Sequence, residues 1–189
     1  MPFTATPIPG VFIFEPSVYP DDRGYFFESY NKKLFQANRI PNEFVQDNQS
    51  FSCYGVIRGL HYQLEPFAQS KLVRVLQGSI LDVVVDLRVG SAGFGKSFSI
   101  ELSAENKKQI FIPKGFAHGF SVLSETTEIS YKCDQFYNKQ SEGGIRYNDP
   151  TLNIDWKIPA HKALISEKDA CLPDFDPTLA PFKFSEWNV

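Results

Sequence analysis

Hydrophobic and polar residues alternate most regularly between positions 79 and 88. One set of alternate positions is wholly apolar and consists of Leu81, Val83, Val85 and Leu87; the other is mixed and consists of Ile80, Asp82, Val84, Asp86 and Arg88. A period of two residues is typical of a β-strand, because successive side chains point to opposite faces. The pattern therefore predicts a strand over this segment.

Shorter segments of extended pattern occur through most of the chain, at residues 11–14, 25–30, 97–102, 109–113, 119–123 and 127–132. Turn residues separate them, as in the run from Asp21 to Gly24 and in the glycines at positions 90, 93 and 95. These turns recur about every 8 to 12 residues, a spacing typical of β-sandwiches and barrels. The sequence therefore predicts an all-β fold.

Helical patterns are few. Residues 31–38 form the best helix of the first half, because Leu34 and Phe35 make one apolar patch and Asn31 is a suitable N-cap. The Pro-rich tail from residue 155 predicts short helices that wrap the sheet, with residues 160–165 the strongest. The chain has 189 residues and no internal repeat or linker, so a single domain over residues 1–189 is expected.

Composition narrows the functional classes. The formal net charge of −3 argues against non-specific nucleic-acid binding, while a local basic pocket for an anionic small molecule stays compatible with it. The first residues do not form a signal peptide, and no apolar run approaches the roughly 20 residues of a membrane span. Three cysteines without C-x-x-C spacing favour a reduced compartment over a structural zinc site. A cytoplasmic protein without membrane attachment is predicted.

A cluster of chemically active residues lies within positions 55–74, where Arg58, His61 and Lys71 stand among apolar neighbours. Long cationic side chains are costly in such surroundings unless they face a cleft or are paired. Strict alternation puts Arg58 and His61 on opposite faces, and they converge only if Gly59 permits a bulge. The cluster predicts an active site; the alternative for His61 is a hydrogen-bonded histidine in or near the core.

Other candidates carry a structural interpretation beside the functional one. Asp82 and Asp86 share a face that is either solvated or part of a site. His118 follows a turn at residues 113–117 that would aim its imidazole at the sheet, and is otherwise structural. An iron, zinc or manganese site would commonly use an H-x-H step, which is missing here, and His118 is the one obvious second ligand to His61. No metal site is predicted.

Tyrosines and a polar turn complete the candidates. Tyr131 and Tyr137 are either packed aromatics with a hydroxyl at the surface or a proton donor and a stacking platform. Residues 166–169 read Ser-Glu-Lys-Asp, which indicates a solvated turn or a helix start.

Several of these residues belong to motifs that follow one another in register. The motifs are Asp22-Arg23-Gly24, Phe27-Glu28-Ser29-Tyr30-Asn31, Phe44-Val45-Gln46-Asp47-Asn48, Arg58-Gly59-Leu60-His61-Tyr62-Gln63, Lys71-Leu72-Val73-Arg74 and residues 112–120. From about Val11 to Asp169, the chain resembles the dTDP-4-dehydrorhamnose 3,5-epimerases. The resemblance implies a double-stranded β-helix jelly roll of the cupin class, with a few short peripheral helices that are mainly C-terminal. It also implies a homodimer that needs neither metal nor cofactor.

The family converts dTDP-4-dehydro-6-deoxy-D-glucose to dTDP-4-dehydro-L-rhamnose, so the resemblance implies a nucleotide-sugar substrate. It implies His61 as the general base, Asp169 as its dyad partner, Tyr131 as the acid on the opposite face of the sugar, and Lys71 as a stabiliser of the enolate. It implies substrate contacts for Arg23, Glu28, Gln46, Asn48, Arg58, His118, Tyr137, Glu142 and Lys168.

This chain departs from the family pattern at Gln49 and Phe136, and its tail after Leu172 matches no family motif. Related enzymes invert only C3 or only C5, or act on other nucleotide-linked sugars, so a single-centre epimerase or a ketoisomerase is the first alternative. A catalytically silent sugar-nucleotide binding module and a metal-dependent cupin oxygenase are the others.

Overall fold

The structure is a computed structural model that describes residues 2–179 and 181–184. Its first strands are β1 (Phe3–Ala5), β2 (Phe12–Phe14), β3 (Tyr19–Asp21), β4 (Gly24–Phe26), β5 (Gln46–Cys53), β6 (Ile57–Gln63), β7 (Lys71–Gln77) and β8 (Ser79–Asp86). The later strands are β9 (Arg88–Val89), β10 (Ser97–Ser103), β11 (Gln109–Ile112), β12 (Phe116–Val122), β13 (Thr126–Cys133), β14 (Glu142–Gly144) and β15 (Phe182–Lys183). The helices are α1 (Lys32–Ala37) and α2 (Glu167–Ala170), with single 3₁₀ turns at Lys139–Ser141, Ala160–Lys162 and Pro177–Leu179.

Two antiparallel sheets make up the body of the fold. One has six strands in the order β1-β2-β11-β7-β13-β5, and the other has five in the order β10-β8-β12-β6-β14. Few neighbours in either sheet are consecutive in the chain, so the strands cross from sheet to sheet. This is the jelly-roll arrangement, and the predicted fold class is confirmed.

The core lies in three layers. Apolar residues of both sheets, such as Val73, Ile110, Val84 and Phe120, fill the space between them. The outer face of the five-stranded sheet is covered by the C-terminal segments, including Trp156. The outer face of the six-stranded sheet is covered by α1 and an aromatic cluster. Strand β8 is therefore buried on both faces, because each face of its sheet has a cover.

This cover corrects one interpretation of the strand at residues 79–88. Asp82 and Asp86 are both fully buried, so the solvated face is wrong. Asp86 accepts hydrogen bonds of 2.8 Å from Nε and from Nη2 of Arg88, and one of 2.6 Å from Ser91 Oγ. A buried carboxylate needs such partners to offset its desolvation. Asp86 is a structural residue, whereas Asp82 lies beside the candidate site.

One of the two predicted helices is confirmed and the other is wrong. Helix α1 is confirmed, with Asn31 Oδ1 accepting from the backbone nitrogens of Lys33 and Leu34. The helix at residues 160–165 is wrong, since only one 3₁₀ turn forms at Ala160–Lys162. The chain then becomes extended because the backbone of Leu164 bonds to Gly55 and Ile57. The segment at residues 25–30 is likewise extended in a strand only as far as Phe26.

The C-terminal segment has a place that its sequence did not predict. Strand β15 pairs in parallel with β9. Phe182 is buried and meets the Tyr62 ring edge-on at 5.9 Å between centroids. Residues 181–184 therefore close one end of the five-stranded sheet. Among the described residues, no helix combines the length and apolar character that a membrane crossing requires.

Candidate active site

A bulge in β6 brings Arg58 and His61 to one side of the sheet. Arg58 lies opposite Phe120 of β12 and His61 lies opposite His118, so three steps along β6 match two along β12. The additional residue reverses the alternation between the two side chains. Both line the same cavity, and the predicted convergence is confirmed.

Glycine is required at this bulge. Gly59 has a φ of +123°, and a Cβ atom there would lie 2.6 Å from the Cα of Gly119 and 2.8 Å from the carbonyl oxygen of His118. No side chain fits in that space, and the positive φ favours glycine in any case. The bulge thus depends on close contact between the two strands' backbones.

The cavity lies between the two sheets and has a volume of about 740 Å³. Seven of the predicted site residues line it: Arg58, His61, Lys71, His118, Tyr131, Lys168 and Asp169. A second cavity of about 190 Å³ is lined by Gln46, Asn48, Tyr137 and Glu142. His61, Lys71 and Tyr131 line both, so the two cavities form one elongated site.

Two predicted residues lie elsewhere in the described chain. Arg23 sits at the turn between β3 and β4, is almost fully exposed, and pairs with Asp21 at 2.6 Å. Glu28 is exposed and accepts a hydrogen bond from Asn31 Nδ2 at 3.3 Å. Neither lines the cavities.

His61 and Asp169 form a hydrogen-bonded pair. His61 Nε2 lies 2.8 Å from Asp169 Oδ1, and the backbone N–H of Gly59 donates to the other carboxylate oxygen at 3.1 Å. Ser166 caps α2 and accepts the N–H of Asp169 at 3.1 Å, which fixes the start of the helix. The polar turn at residues 166–169 is therefore a helix start that carries a buried carboxylate.

The electrostatics of this pair favour an ionised carboxylate. Burial by itself raises the pKa of Asp169, but the hydrogen bonds from His61 and Gly59 outweigh it and leave the pKa below its ordinary value. The carboxylate accepts the proton on Nε2 of His61. Nδ1 is then the ring nitrogen that can take up a proton from a substrate.

Tyr131 stands on β13, in the sheet opposite His61. Burial raises the pKa of its phenol, while the Arg58 cation lowers it by less. The hydroxyl therefore keeps its proton at neutral pH and can donate it. The structure thus has a carboxylate-bound imidazole on one wall of the cavity and a protonated phenol on the other.

Lys71 lies at the start of β7, and its Nζ is 5.9 Å from the centre of the Tyr131 ring. Burial lowers the pKa of this lysine, and negative charge at Cys133 or Asp82 opposes the lowering. The thiol of Cys133 is itself buried, which raises its pKa to about 11. The thiol therefore keeps its proton at neutral pH.

The predicted turn before His118 is present but shorter, at Lys114 and Gly115, and His118 itself lies on β12, which begins at Phe116. The pleat of β12 aims the ring into the space between the sheets, where its Nε2 lies 2.8 Å from Asp82 Oδ2. The site therefore holds a second His–Asp pair, more deeply buried than the first.

The smaller cavity has the character of a binding site. Tyr137 is 55% exposed, and its backbone N–H donates to Gln46 Oε1 at 3.0 Å. Lys168 Nζ lies 2.7 Å from Glu142 Oε2, and this contact lowers the pKa of Glu142. An aromatic ring beside amide and charged groups suits a nucleobase.

Sequence reasoning missed several residues that hold the site. Ser52 Oγ accepts from Nε and Nη2 of Arg58, at 3.3 and 3.2 Å. Gln63 joins β6 to the loop of Tyr137, because its Oε1 accepts from Asn138 N at 2.7 Å. Ser52 belongs to β5, whose polar composition conceals a strand. Gln63 stands inside the Arg58–Gln63 motif, and that position was its only signal.

An apolar wall of the larger cavity was also missed. It consists of Val56, Ile57, Phe120, Ile129, Ala163, Leu164 and Ile165. In the part of the chain that the structure describes, no three His, Cys, Asp or Glu side chains are grouped as metal ligands. Both histidines of the cavity instead direct Nε2 at a carboxylate of their own.

Comparison with known proteins identifies relatives of this chain. Residues 5–177 match the sequence model of a family described as dTDP-4-dehydrorhamnose 3,5-epimerase. The dTDP-4-dehydrorhamnose 3,5-epimerase of Shigella flexneri is 54% identical over 165 residues, which cover 87% of this chain and 90% of that protein. The solved structure of dTDP-4-dehydrorhamnose 3,5-epimerase from Elizabethkingia anophelis NUHP1 is 54% identical, with a TM-score of 0.88 and coverage of 92% and 95% of the two chains.

A third relative is solved with a ligand. The dTDP-6-deoxy-D-glucose-3,5-epimerase of Legionella pneumophila Philadelphia 1, in complex with dTDP-4-keto-L-rhamnose, is 45% identical. Its TM-score is 0.91, and the match covers 97% of this chain and 98% of that one. From its sequence, its jelly-roll fold and these relatives, the chain belongs to the dTDP-4-dehydrorhamnose 3,5-epimerase family.

Proposed function

We propose that this protein epimerises dTDP-4-dehydro-6-deoxy-D-glucose at C3 and C5 to give dTDP-4-dehydro-L-rhamnose. The observation that carries the proposal is the placement of His61, which is paired with Asp169, and of Tyr131 on different sheets, with a cavity between them. Inversion of a carbon needs proton removal on one face and proton return on the other. A base and an acid on facing walls meet that requirement.

His61 is the base. A proton on the carbon beside a ketone is too weak an acid to leave unaided, and a positioned base and acid are each worth roughly 10²–10⁴ in rate. With Nε2–H held by Asp169, Nδ1 removes the proton and the imidazolium that forms is stabilised by the carboxylate. Asp169 positions His61 and offsets its charge, and its own depressed pKa keeps it from taking the proton.

Lys71 and Arg58 serve the enolate and the substrate. Removal of the proton moves negative charge to the oxygen at C4, and cationic donors aimed at such an oxygen are worth about 10²–10³. Lys71 lines the cavity between His61 and Tyr131 and is the catalytic cation of the proposal. Arg58 is held by Ser52 at the same wall and holds the substrate.

Tyr131 returns the proton from the opposite face. Its phenol keeps its proton at neutral pH, because burial raises its pKa. The Tyr131 oxygen is left as a phenolate beside Lys71, which stabilises it until it takes up a proton from solvent. His61 returns to the neutral imidazole by releasing to solvent the proton that it removed. One such cycle at each of the two carbons beside the ketone yields the doubly inverted sugar.

The nucleotide occupies the smaller cavity, where Tyr137 stacks on the base. Gln46, Asn48, Glu142, Lys168 and His118 supply polar contacts along the elongated site. Binding energy from the nucleotide, which does not react, is then available to orient the sugar between acid and base.

Deuterium exchange tests the function directly. The purified protein is incubated with dTDP-4-dehydro-6-deoxy-D-glucose in D₂O, and deuterium at C3 and C5 is followed by NMR. Exchange at both carbons with formation of the rhamnose-configured product supports the proposal. Exchange at one carbon selects a single-centre epimerase instead, and no exchange despite binding selects a non-catalytic binding module.

We infer further that the protein works as a homodimer. The β3–β4 hairpin exposes Tyr19, Tyr25 and Phe26 by 63%, 59% and 66%, an apolar surface that a second copy would cover. The same hairpin carries Arg23, which is expected to bind substrate. Arg23 lies outside both cavities of its own chain and is exposed. A partner's cavity supplies the substrate site for Arg23.

Mixing two variants tests the dimer and the site together. Light scattering first gives the mass in solution. Arg23→Ala and His61→Ala chains are then allowed to exchange subunits. If Arg23 acts in the partner's cavity, a mixed dimer has one complete site, and activity rises above that of both variants alone. No rise, or a monomeric mass, contradicts the inference.

A further inference from the structure

In the second His–Asp pair, one oxygen of the Asp82 carboxylate makes no hydrogen bond to the described residues. Asp82 is fully buried, and its Oδ2 lies 2.8 Å from His118 Nε2. Its other oxygen, Oδ1, is buried and has no hydrogen-bond partner among the described residues. A buried carboxylate that is satisfied on one oxygen only is costly unless cations nearby stabilise its charge.

The surroundings of Asp82 contain one such cation, Lys71. Asp82 lies on the face of β8 that points between the sheets, together with Ile80 and Val84. Lys71 is close enough for the Asp82 charge to oppose the lowering of the lysine pKa by burial. The Cys133 thiol, the other group that acts this way, has a pKa of about 11 and is uncharged at neutral pH.

We propose that Asp82 is a positioning residue of the active site, whose buried carboxylate orients His118 and keeps Lys71 in the ammonium form that stabilises the enolate. The proposal rests on the function proposed above, in which Lys71 is the catalytic cation. Asp82 does not line the cavity and so acts through the two residues that do.

The orientation of His118 follows from what a carboxylate can do. Asp82 accepts hydrogen bonds only, so the proton between the two residues resides on His118 Nε2. Nδ1 is then the nitrogen available to the cavity. The His118–Asp82 pair thus has a different function from the His61–Asp169 pair, because His118 binds substrate and His61 removes the proton.

The charge state of Lys71 depends on every titratable group that faces it. These groups are Tyr131 and Cys133 from β13, Asp82 from β8, His118 from β12, Arg58, His61 and Tyr62 from β6, Tyr137 from the loop after β13, Glu142 from β14, and Lys168 and Asp169 from α2. Tyr131 and Cys133 are neutral near pH 7, because burial raises both pKa values. Arg58 and Lys168 are cations that disfavour a third positive charge. Asp82 is the carboxylate placed to counter them, since Asp169 is engaged by His61 and Gly59, Glu142 is engaged by Lys168, and one oxygen of Asp82 has no hydrogen-bond partner among the described residues.

Titration of Lys71 in the free protein tests the proposal without any substrate. Lysines labelled with ¹³C at Cε are followed by NMR against pH, and the Lys71→Arg variant assigns the signal of Lys71. Asp82→Asn removes the charge, while its amide oxygen can still accept the His118 proton. The Lys71 midpoint should then fall by about one pH unit.

The control variant is Asp149→Asn. Asp149 is also buried, but it bonds only to backbone N–H groups away from the cavity, so the Lys71 midpoint should not change.

The pH dependence of kcat/KM is the second test. Deprotonation of Lys71 removes its function, so kcat/KM is lost as pH rises through the lysine pKa. A lower pKa in Asp82→Asn moves that loss to lower pH. Above the wild-type midpoint kcat/KM of the variant is about tenfold below the wild type, and below both midpoints the two enzymes converge. A uniform loss at all pH values indicates a purely structural role and overturns the proposal.

If Asp82→Asn does not fold, the wild-type protein alone still tests the orientation of His118. Long-range ¹H–¹⁵N NMR identifies the protonated ring nitrogen of His118, which should be Nε2. A neutral ring with its proton on Nδ1 overturns the proposal, and so does an unchanged Lys71 midpoint in a folded variant. Wild-type protein that binds the sugar nucleotide without exchange contradicts the proposed function instead, and the titration still reports on Asp82.

Discussion

Gly59 and Gly119 lie in backbone contact where β6 passes β12, so close that a Cβ atom on Gly59 would be 2.6 Å from the Cα of its neighbour. The contact holds the bulge that turns His61 and Arg58 toward the same cavity. Gly59 does not line the cavity, and neither glycine takes part in a proton transfer of the proposed mechanism. Together they nevertheless decide where the base stands.

Gly59→Ala should therefore damage catalysis from a position outside the chemistry. The added methyl group forces β6 away from β12 and displaces His61, and we expect kcat/KM to fall by about 10²-fold or more. Gly90→Ala is the matched control, because Gly90 also has a positive φ, of +91°, but its Cβ would meet only Phe184 at 3.9 Å. Both variants are measured by deuterium exchange, with circular dichroism to verify folding. Equal losses in the two would show that strain at positive φ, and not the contact of strands, is the cause.

His61→Ala should abolish exchange while sparing binding. The base is lost, so we expect exchange at C3 and C5 to fall by at least about 10²–10⁴. Tyr137 and the other contacts of the smaller cavity remain, and calorimetry with the nucleotide sugar should give a nearly unchanged Kd. A parallel loss of affinity would make His61 a ligand contact only.

Tyr131→Phe should separate proton removal from proton return. The ring still packs beside Lys71, but the phenolic proton is gone. Net epimerisation should slow by about 10²–10⁴, while some exchange from the His61 side continues. NMR in D₂O reports both quantities in one experiment. Unchanged turnover would remove Tyr131 from the mechanism.

Asp169 makes stability depend on pH in a defined direction. Its pKa is lower in the folded protein than in the unfolded chain, so it binds fewer protons when folded. The stability that it contributes is present above the unfolded pKa of about 3.9 and is lost as pH falls toward the folded pKa. The free energy of unfolding of wild type should therefore decline more steeply below about pH 4 than that of Asp169→Asn. Urea titrations between pH 7 and the acid range measure the difference, and parallel curves would contradict it.

The buried pair of Asp86 and Arg88 should matter for stability alone. Arg88→Met leaves a buried carboxylate without its cation and should cost about 3–5 kcal/mol. The double variant Asp86→Leu/Arg88→Met removes both charges and should recover most of that loss. Both are measured by chemical denaturation. A double variant no more stable than the single one would mean that packing, and not charge, holds this corner.

The local elements of the fold were predictable where one periodicity dominates. The strand around Val83 and the helix at Lys32–Ala37 follow from patterns that neighbouring residues set by themselves. Strand β5 was not recognised, because its alternate residues are polar and face either the site or solvent. The 3₁₀ turn at Ala160–Lys162 replaced a longer helix because Leu164 bonds to backbone groups of a distant strand. Such bonds have no trace in local sequence.

The sequence by itself determined which chemistry was available, because residue types and their order in the motifs are a property of the chain. His61, Tyr131, Lys71 and Asp169 were identifiable in this way. Tertiary structure alone decided which of them meet. Asp169 reaches His61 across 108 residues of chain, and Asp82 is a buried partner of His118 only because β8 and β12 are neighbours. Burial, charge and hydrogen bonding depend on distances through space, and those distances exist only once the two sheets have packed.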